Sequence, residues 1–422
     1  FDYGWSELFN YIFYKEGDKQ KISQKTGIPA ETITKMQEEF QYWYPVDLRV
    51  SAKELVPNHL TFFIFHHAAL FPPKQWPKGI GVNGMLMIEG KQMHKSKGNF
   101  VTMKNAVEQY GADATRCTLL MAAEGMDDPD WRTENVKEMQ NKLESFYNFA
   151  KSIIENSEEG EYTHLERWLM STLQRRISAV TENLEQMKTR TALSIALFEI
   201  WNDFRWYIHR KKKPNAKALK QALKTAIRLL APFAPHTCEE IWNQTGEKNF
   251  ISLADWPTTD PKQIDLQAEE QENLIKNIIE DTFSVLKATK ITPKKICYYT
   301  ASPWKWKIYI NILEKSAQGK VKLSELMKEY ATNAELKKHM KELAKFAPTI
   351  IKEIDRMQEE RKTSLLKATS FDEKETLKSA KDFLAERFAA EIHVYSEEDV
   401  ERYDPKMRAS LSAPCRPAIY VE

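Results

Sequence analysis

Residues 79–116 read GIGVNGMLMIEGKQMHKSKGNFVTMKNAVEQYGADATR, and the fold turns on how this stretch is read. Gly79 to Glu89 predicts two short strands around the tight-turn pair Asn83-Gly84. Gly90 to Asn99 is a polar loop holding Lys91, Lys95 and Lys97. Thr102 is placed to cap a short helix that runs to Tyr110 and stops at Gly111. Asp113 is placed to cap the next helix, through Met121. The chain has 13 glycines, and seven of them fall between Gly79 and Gly125. Glycine permits positive φ and a close approach of backbone to ligand. Its clustering here puts the chemistry in this segment and predicts a mostly helical remainder.

Upstream, residues 1–45 read as helical, and VPNHLTFFIFHHAALF (56–71) fits a buried helix with Pro57 at its favoured first position. Downstream, long amphipathic patterns at 135–156, 164–187, 190–212, 214–231 and 235–245 predict a helical bundle. A Pro-rich, acidic stretch from Trp256 to Asp265 reads as a linker. Beyond it, helices at 273–287, 303–315, 320–327, 335–346, 348–361 and 371–389 mix with strands at 294–301, 391–395 and 418–421. That is a small α+β domain. There is no internal repeat.

The length of 422 residues implies two to four domains. With 42% hydrophobic and 29% charged residues the chain is globular, not disordered. No apolar run reaches the ~18 residues of a membrane span. Cys117, Cys238, Cys297 and Cys415 lie far apart with no C-x-x-C pair, which argues against a disulfide scaffold or Cys-rich zinc site and for a reducing, cytoplasmic setting. The net charge of +2 hides an asymmetry: Lys276 to Glu422 holds 28 basic and 23 acidic residues. Arg205 to Arg228 is sharper still. It carries Arg205, Arg210, Lys211, Lys212, Lys213, Lys217, Lys220, Lys224 and Arg228 and no acid. The bland reading is a solvated helix pair broken at Pro214; the functional one, favoured by nine cations without a compensating acid, is a surface that tracks phosphates.

Gln92-Met93-His94-Lys95-Ser96, followed by Lys97-Gly98-Asn99, resembles the K-M-S-K-S signature and following K-G-N of the class I aminoacyl-tRNA synthetases. Tyr42 to Pro72 is similar to the leucyl-tRNA synthetases of the archaeal and eukaryotic cytosolic type. So are APFAPHTCEEIW (231–242), a helix shared with the isoleucine, valine and methionine enzymes, and the terminal RPAIYVE (416–422). Four separated segments agree in order. The resemblance implies a mainly α chain with α/β content: the second half of a class I Rossmann catalytic domain (1–118, with a helical insertion at 1–45 and the signature loop at 92–96), a stem-contact region (119–160), a helical bundle of the anticodon-binding type (161–265) and a C-terminal tRNA-binding α+β domain (266–422). The H-I-G-H signature and the editing insertion are absent, and Phe1 instead of Met is expected of a fragment, the alternative being the second subunit of a split enzyme.

The implied activity is ATP-dependent activation of leucine and its transfer to tRNA-Leu, with Mg2+ expected and no metal site in this chain. A lysine-bearing loop suits the charge that spreads over phosphoryl oxygens as pyrophosphate leaves. Lys95, Ser96 and Lys97 are the implied catalytic residues. Glu54, Asn58, His59, Asn83, Gly84, Met85, Leu86, Met93, His94, Gly98 and Asn99 are the implied ATP-binding set. Arg205, Arg210, Lys211, Lys212, Lys213 and the tail Ile419, Tyr420, Val421 and Glu422 are the implied tRNA contacts. The family's first Lys is Gln92 here and its first Ser is His94, which puts the activation rate in doubt. The missing N-terminal catalytic half is an expected partner; no membrane is. His66 and His67 read as packed residues, Asp113 and Arg116 as a capping pair, His236 as a buried helix start, and Trp304 and Trp306 as core. A chain of another class, a non-catalytic tRNA-binding paralogue, is the alternative; a purely structural helical scaffold fits the ordered motifs worst.

Overall fold

The computed structural model describes residues 4–93, 98, 100–368 and 371–422. These divide into two compact units: residues 1–145 with 180–194 and 231–237, and residues 146–179 with 195–230 and 238–422.

In the first unit, α1 (Trp5–Tyr14), α2 (Lys19–Thr26) and α3 (Ala30–Trp43) bury one stripe each, so that Leu8, Ile12, Ile22 and Ile33 meet in a small core. β1 (Arg49–Ala52) follows, then a π-helical turn at Val56–Leu60 and α4 (Thr61–Leu70). This segment is not the buried helix its apolarity predicts. His67 packs among Tyr44, Phe63 and Phe71, but Phe62 and Phe65 are 64% and 66% exposed. Apolar composition measures the tendency to be covered and is blind to which segment does the covering.

β2 (Ile80–Asn83), β3 (Met87–Ile88) and β4 (Lys91–Gln92) come next. The expected hairpin around Asn83-Gly84 does not form. β2 instead pairs in parallel with β1, and the hairpin lies one step on, where β3 and β4 are joined by Glu89 (φ 49) and Gly90 (φ 75). Two positive φ angles match the twist of the flanking strands, and Glu-Gly served where an Asn-Gly pair stood nearby. α5 (Met103–Tyr110) starts as expected: Thr102 Oγ1 accepts from Asn105 N at 3.1 Å, and Gly111 (φ 85) ends it. α6 (Ala112–Ala122), β5 (Asp130–Trp131) in parallel with β3, and α7 (Thr133–Glu155) follow.

The helices continue with α8 (His164–Glu185), α9 (Thr189–Leu193), α10 (Ile200–Arg210), α11 (Ala216–Leu230), α12 (Pro235–Gln244) and α13 (Leu266–Thr289). α11 shows why. Asn215 Oδ1 caps it from Ala218 N at 2.9 Å, and its Ala and Leu positions are buried while Lys217 and Gln221 are exposed. The later part of the second unit holds β6 (Lys295–Thr300), α14 (Pro303–Gln318), α15 (Leu323–Thr332), α16 (Met340–Asp355), α17 (Glu359–Lys367), α18 (Glu373–Ser379), α19 (Lys381–Phe388), β7 (Glu391–Ser396) and β8 (Ala418–Val421). β6 is central, parallel to β7 and antiparallel to β8. Its residues alternate: Ile296 and Tyr298 join one buried cluster, Cys297 and Tyr299 another. Pro348 does not begin a helix as expected. It sits inside α16, where Leu343, Ala347, Ile350 and Ile354 are buried; packing of that face outweighs one lost backbone bond. Trp304 is core, as expected, and Lys305 between the two tryptophans is buried too, bonded to Glu397 (2.9 Å) and the carbonyls of Ser410 (3.0 Å) and Ser412 (2.7 Å).

Asp113 caps a helix, but not its own. α6 has Gly111 at its N-cap, while the buried Asp113 carboxylate accepts from Thr237 N (2.6 Å), Thr237 Oγ1 (2.7 Å) and His236 N (3.3 Å) at the start of α12. Arg116 donates to the carbonyls of Pro232 (2.8 Å) and Phe233 (3.3 Å). The pair thus holds the 232–237 segment across the first unit. His236 starts that helix with its side chain exposed, contrary to the buried position expected.

One carboxyl in the second unit makes stability depend on pH. Glu373 is buried, accepts from Cys415 N (2.6 Å) and Trp306 Nε1 (3.3 Å), and burial pushes it up to about 7. A raised carboxyl favours the protonated form in the fold, so its contribution is complete below the ordinary carboxylate range and lost as pH rises through about 7. Between pH 4.5 and 8 the parent is expected to lose on the order of 3 kcal/mol from this group. Glu373→Gln should flatten that part of the profile in urea unfolding; equal slopes for parent and variant would refute the assignment.

Candidate active site

The parallel pairing of β1 with β2 matches Arg49 to Ile80 and Ala52 to Asn83, so both strands end together. Ligands of open α/β sheets bind outside the carboxyl ends of such strands. A cleft of about 1180 Å3 opens there. Its walls include Glu54 just past β1, and Asn83, Gly84, Met85 and Leu86 leaving β2. Gln92 and Met93, at the end of β4, line it as well.

Gly84 is fixed by sterics. A Cβ there would lie 2.0 Å from the Asp127 carbonyl oxygen and 2.8 Å from the Asp128 Cα, both backbone atoms that cannot swing aside. The next residue is held by charge. Met85 N donates to Asp128 Oδ1 at 2.7 Å, and the Lys53 ammonium reaches the same oxygen at 2.5 Å. The Lys53 hydrogen bond, followed by the Met85 N–H, holds the Asp128 carboxyl below its usual range. Asp128 therefore ties the end of β1 to the backbone leaving β2. On the far side, Asp130 accepts from Gly90 N (2.9 Å) and Arg132 Nε (2.7 Å), bracing the β3–β4 turn.

Of the residues the sequence singles out, Glu54, Asn83, Gly84, Met85, Leu86 and Met93 are brought together on this wall. Asn58 and His59 are exposed in the π-helical turn and do not line it; Asn58 Nδ2 donates to Glu54 O at 3.2 Å, and His59 Nε2 lies 3.4 Å from Arg49 Nη2. Gly98 is exposed, with φ 72, and is not on the wall either. His94, Lys95, Ser96, Lys97 and Asn99 lie outside the described residues. Sequence reasoning missed Lys53, Glu124, Asp127, Asp128 and the turn Glu185–Thr189. The run Asp127-Asp128-Pro129-Asp130 beside Gly125 was a readable turn signal; nothing local marks the turn after α8 as part of this cleft.

The basic stretch is corrected in part. The side chain of Arg210 is 2% accessible and forks onto Glu272 at 2.9 and 3.0 Å. Burial would raise the Glu272 carboxyl, but hydrogen bonds from His164 (3.0 Å) and Arg210 outweigh it and hold it at about 2. Lys211 bonds Glu166 at 2.5 Å, Lys212 meets Asp382 at 3.1 Å and Lys224 meets Glu247 at 2.6 Å. The compensating acids come from distant sequence. Arg205 and Lys213 are exposed. Lys217, Lys220, Lys224 and Arg228 face a groove of about 1100 Å3 in the second unit, together with Trp256 and Asp255. In the tail, Ile419, Tyr420 and Val421 are paired with Tyr298, Cys297 and Ile296 of β6, and the Glu422 side chain accepts from Tyr403 Oη at 2.7 Å.

Two family models match: "tRNA synthetases class I (M)" over residues 23–154 and "Anticodon-binding domain of tRNA ligase" over residues 166–298. The leucine–tRNA ligases of Methanococcoides burtonii and Pyrococcus abyssi are each 39% identical to the chain over 99% of its length, covering 43% and 42% of theirs. That of Methanothrix thermoacetophila is 38% identical, over 99% of this chain and 43% of its own. The chain thus spans less than half the length of the curated relatives it matches. A crystal structure of an Agrobacterium radiobacter K84 LeuRS–tRNA–LeuAMS ternary complex is similar over 52% of this chain and 29% of that one, at 24% identity and a TM-score of 0.46.

Three substitutions check this geometry. Gly84→Ala is expected to cost roughly 3 kcal/mol in denaturant unfolding, because backbone must move; a loss under about 0.5 kcal/mol would contradict the close approach. Arg210→Ala is expected to cost about 3–5 kcal/mol by stranding buried Glu272, whereas the exposed Arg205→Ala should stay within about 0.5 kcal/mol. Equal effects would return Arg210 to the surface.

Proposed function

By homology over 99% of its residues this chain belongs to the leucine–tRNA ligase family, as a portion of that longer enzyme, and from that premise we propose that it serves ATP-dependent charging of tRNA-Leu with leucine. In the first step a leucine carboxylate oxygen bonds to the α-phosphorus of ATP and the bond to the departing pyrophosphate breaks. In the second, the terminal ribose hydroxyl of the tRNA takes the leucyl group and AMP leaves. The observation that carries this reading is the convergence of Glu54, Asn83–Leu86 and Gln92–Met93 on one cleft at the carboxyl ends of parallel strands. Gln92 and Met93, the first two positions of the signature, are on that wall.

Lys95 is assigned to the charge that builds on the leaving pyrophosphate, with Ser96 and Lys97 adding contacts; His94, Gly98 and Asn99 complete the loop's share. One such fixed donor is worth ~3–4 kcal/mol of barrier. Adenine is assigned to the backbone at Met85–Leu86. The ribose is assigned to the Glu54 side, with Asn58 and His59 on the turn that follows. Mg2+ is held mainly by substrate phosphates and one or two carboxylates. Glu54 and Asp127 on the wall have that donor chemistry.

The partners follow. Exposed Arg205, Lys212 and Lys213 and the net-basic C-terminal part are assigned to the tRNA backbone, in a salt-dependent interaction; Arg210 and Lys211, being internal, are assigned to the fold. The tail at Tyr420 and Glu422 is assigned to the long variable arm, with Ile419 and Val421 holding it in the sheet. The remaining length of the enzyme is assigned to the exposed apolar surface of the first unit, which includes Tyr42, Trp43, Phe62, Phe65 and Leu70. We place the chain in the domain order of catalytic half (1–118), stem-contact region (119–160), bundle (161–265) and C-terminal domain (266–422), in the cytoplasm; among the described residues no helix is long and apolar enough to cross a membrane. A second reading, a non-catalytic tRNA-binding paralogue, is favoured by one observation: Gln92, at the family's first lysine position, puts a neutral amide on the cleft wall.

Pyrophosphate exchange separates the two. The polypeptide carrying this chain with its N-terminal catalytic half should exchange pyrophosphate in the presence of leucine, and Lys95→Ala should slow it about 10²–10³-fold. Exchange unchanged by Lys95→Ala removes the assigned role. No exchange with retained tRNA binding supports the paralogue.

A further inference from the structure

The nucleotide assignment leaves a segment of the cleft wall without a role. The turn between α8 and α9, Glu185–Thr189, lines the same cleft as Asn83 and Gly84 although it lies far downstream in the chain. It is held in place at two points. Met187 adopts φ 59, a left-handed conformation that a side-chain-bearing residue rarely keeps without support. Its support is β2: a Cβ at Gly81 would lie 2.4 Å from the Met187 Cε and 2.8 Å from its Sδ, so the bare glycine backbone receives the thioether. Just beyond the turn, Glu124, itself on the wall, accepts from Thr191 N and Thr191 Oγ1, both at 3.0 Å. Lys188 stands between these anchors, its own N–H bonded to Asn183 O at 2.7 Å and its side chain exposed.

Charge decides what a cation there does. The described residues lining the cleft include four carboxylates, Glu54, Glu124, Asp127 and Glu185, and one ammonium, Lys188. Glu124 is committed to Thr191. These carboxylates repel an entering polyphosphate, and each cation fixed on the wall reduces that repulsion. The clamped turn removes the backbone ordering that a mobile loop would add to the cost of binding.

We infer that Lys188 is a further phosphate-contacting residue of this cleft, supplied by the α8–α9 turn and positioned by the seating of Met187 on Gly81. This rests on the cleft being a nucleotide site. It gives the turn a consequence beyond packing: a shift of Met187 off β2 moves a phosphate contact.

The test is equilibrium binding of ATP and of adenosine to the polypeptide that carries this chain, parent against Lys188→Met and Lys188→Arg. Lys188→Met is expected to weaken ATP about tenfold and leave adenosine unchanged, because only ATP has the charge that Lys188 meets. Lys188→Arg should restore ATP binding to within about threefold of the parent. The inference is overturned if Lys188→Met binds ATP as the parent does, or if it weakens ATP and adenosine alike, which a merely structural role would produce. A parent that binds neither ligand overturns the nucleotide reading itself, and the inference with it.

Discussion

The parallel pairing of β1 with β2, Ala52 opposite Asn83, is the constraint on which the site depends. Side chains alternate along a strand, so a one-residue slip would turn Gly81 away from Met187 and bring a side chain against Asp127 in place of Gly84. The register is guarded from outside the sheet. Asp128 joins Lys53, past the end of β1, to the Met85 N–H past the end of β2, and Gly84 sits where only a missing side chain lets two backbones meet. The cleft is therefore the space that remains once a steric and an electrostatic condition are both met.

The second unit solves a different problem, the burial of charge. Glu272 receives Arg210, His164 and Trp206, and Glu166 receives Lys211 and Tyr207. Breaking such pairs is expensive even where forming them gains little. They hold the Arg205–Lys213 segment so that Arg205 and Lys213 remain outside while Arg210 and Lys211 do not. The exposed cations of this segment are thus carried on a stretch whose other cations never reach the surface.

The sequence made the helices of the bundle, the capped α5 and the C-terminal α+β part legible, because periodicity and caps are local. It also marked Asn83–Leu86, beside the glycines and the signature loop, and Glu54 through the family resemblance of residues 42–72. What it missed is long-range. Nothing near Asp113 says that its carboxylate serves α12, and no local charge count finds Glu272 opposite Arg210. The true hairpin at Glu89-Gly90 was hidden by a better turn signal at Asn83-Gly84, whose glycine answers to Asp127 instead. Phe62 and Phe65 were read as buried because they are apolar, and the chain leaves them exposed.

The most direct measurement is photolabelling of the polypeptide with an azido-adenine analogue of ATP, with labelled peptides identified by mass spectrometry. The account predicts label on residues 83–93, protected by excess ATP. Label confined to the bundle groove around Trp256, or insensitive to ATP, would contradict it.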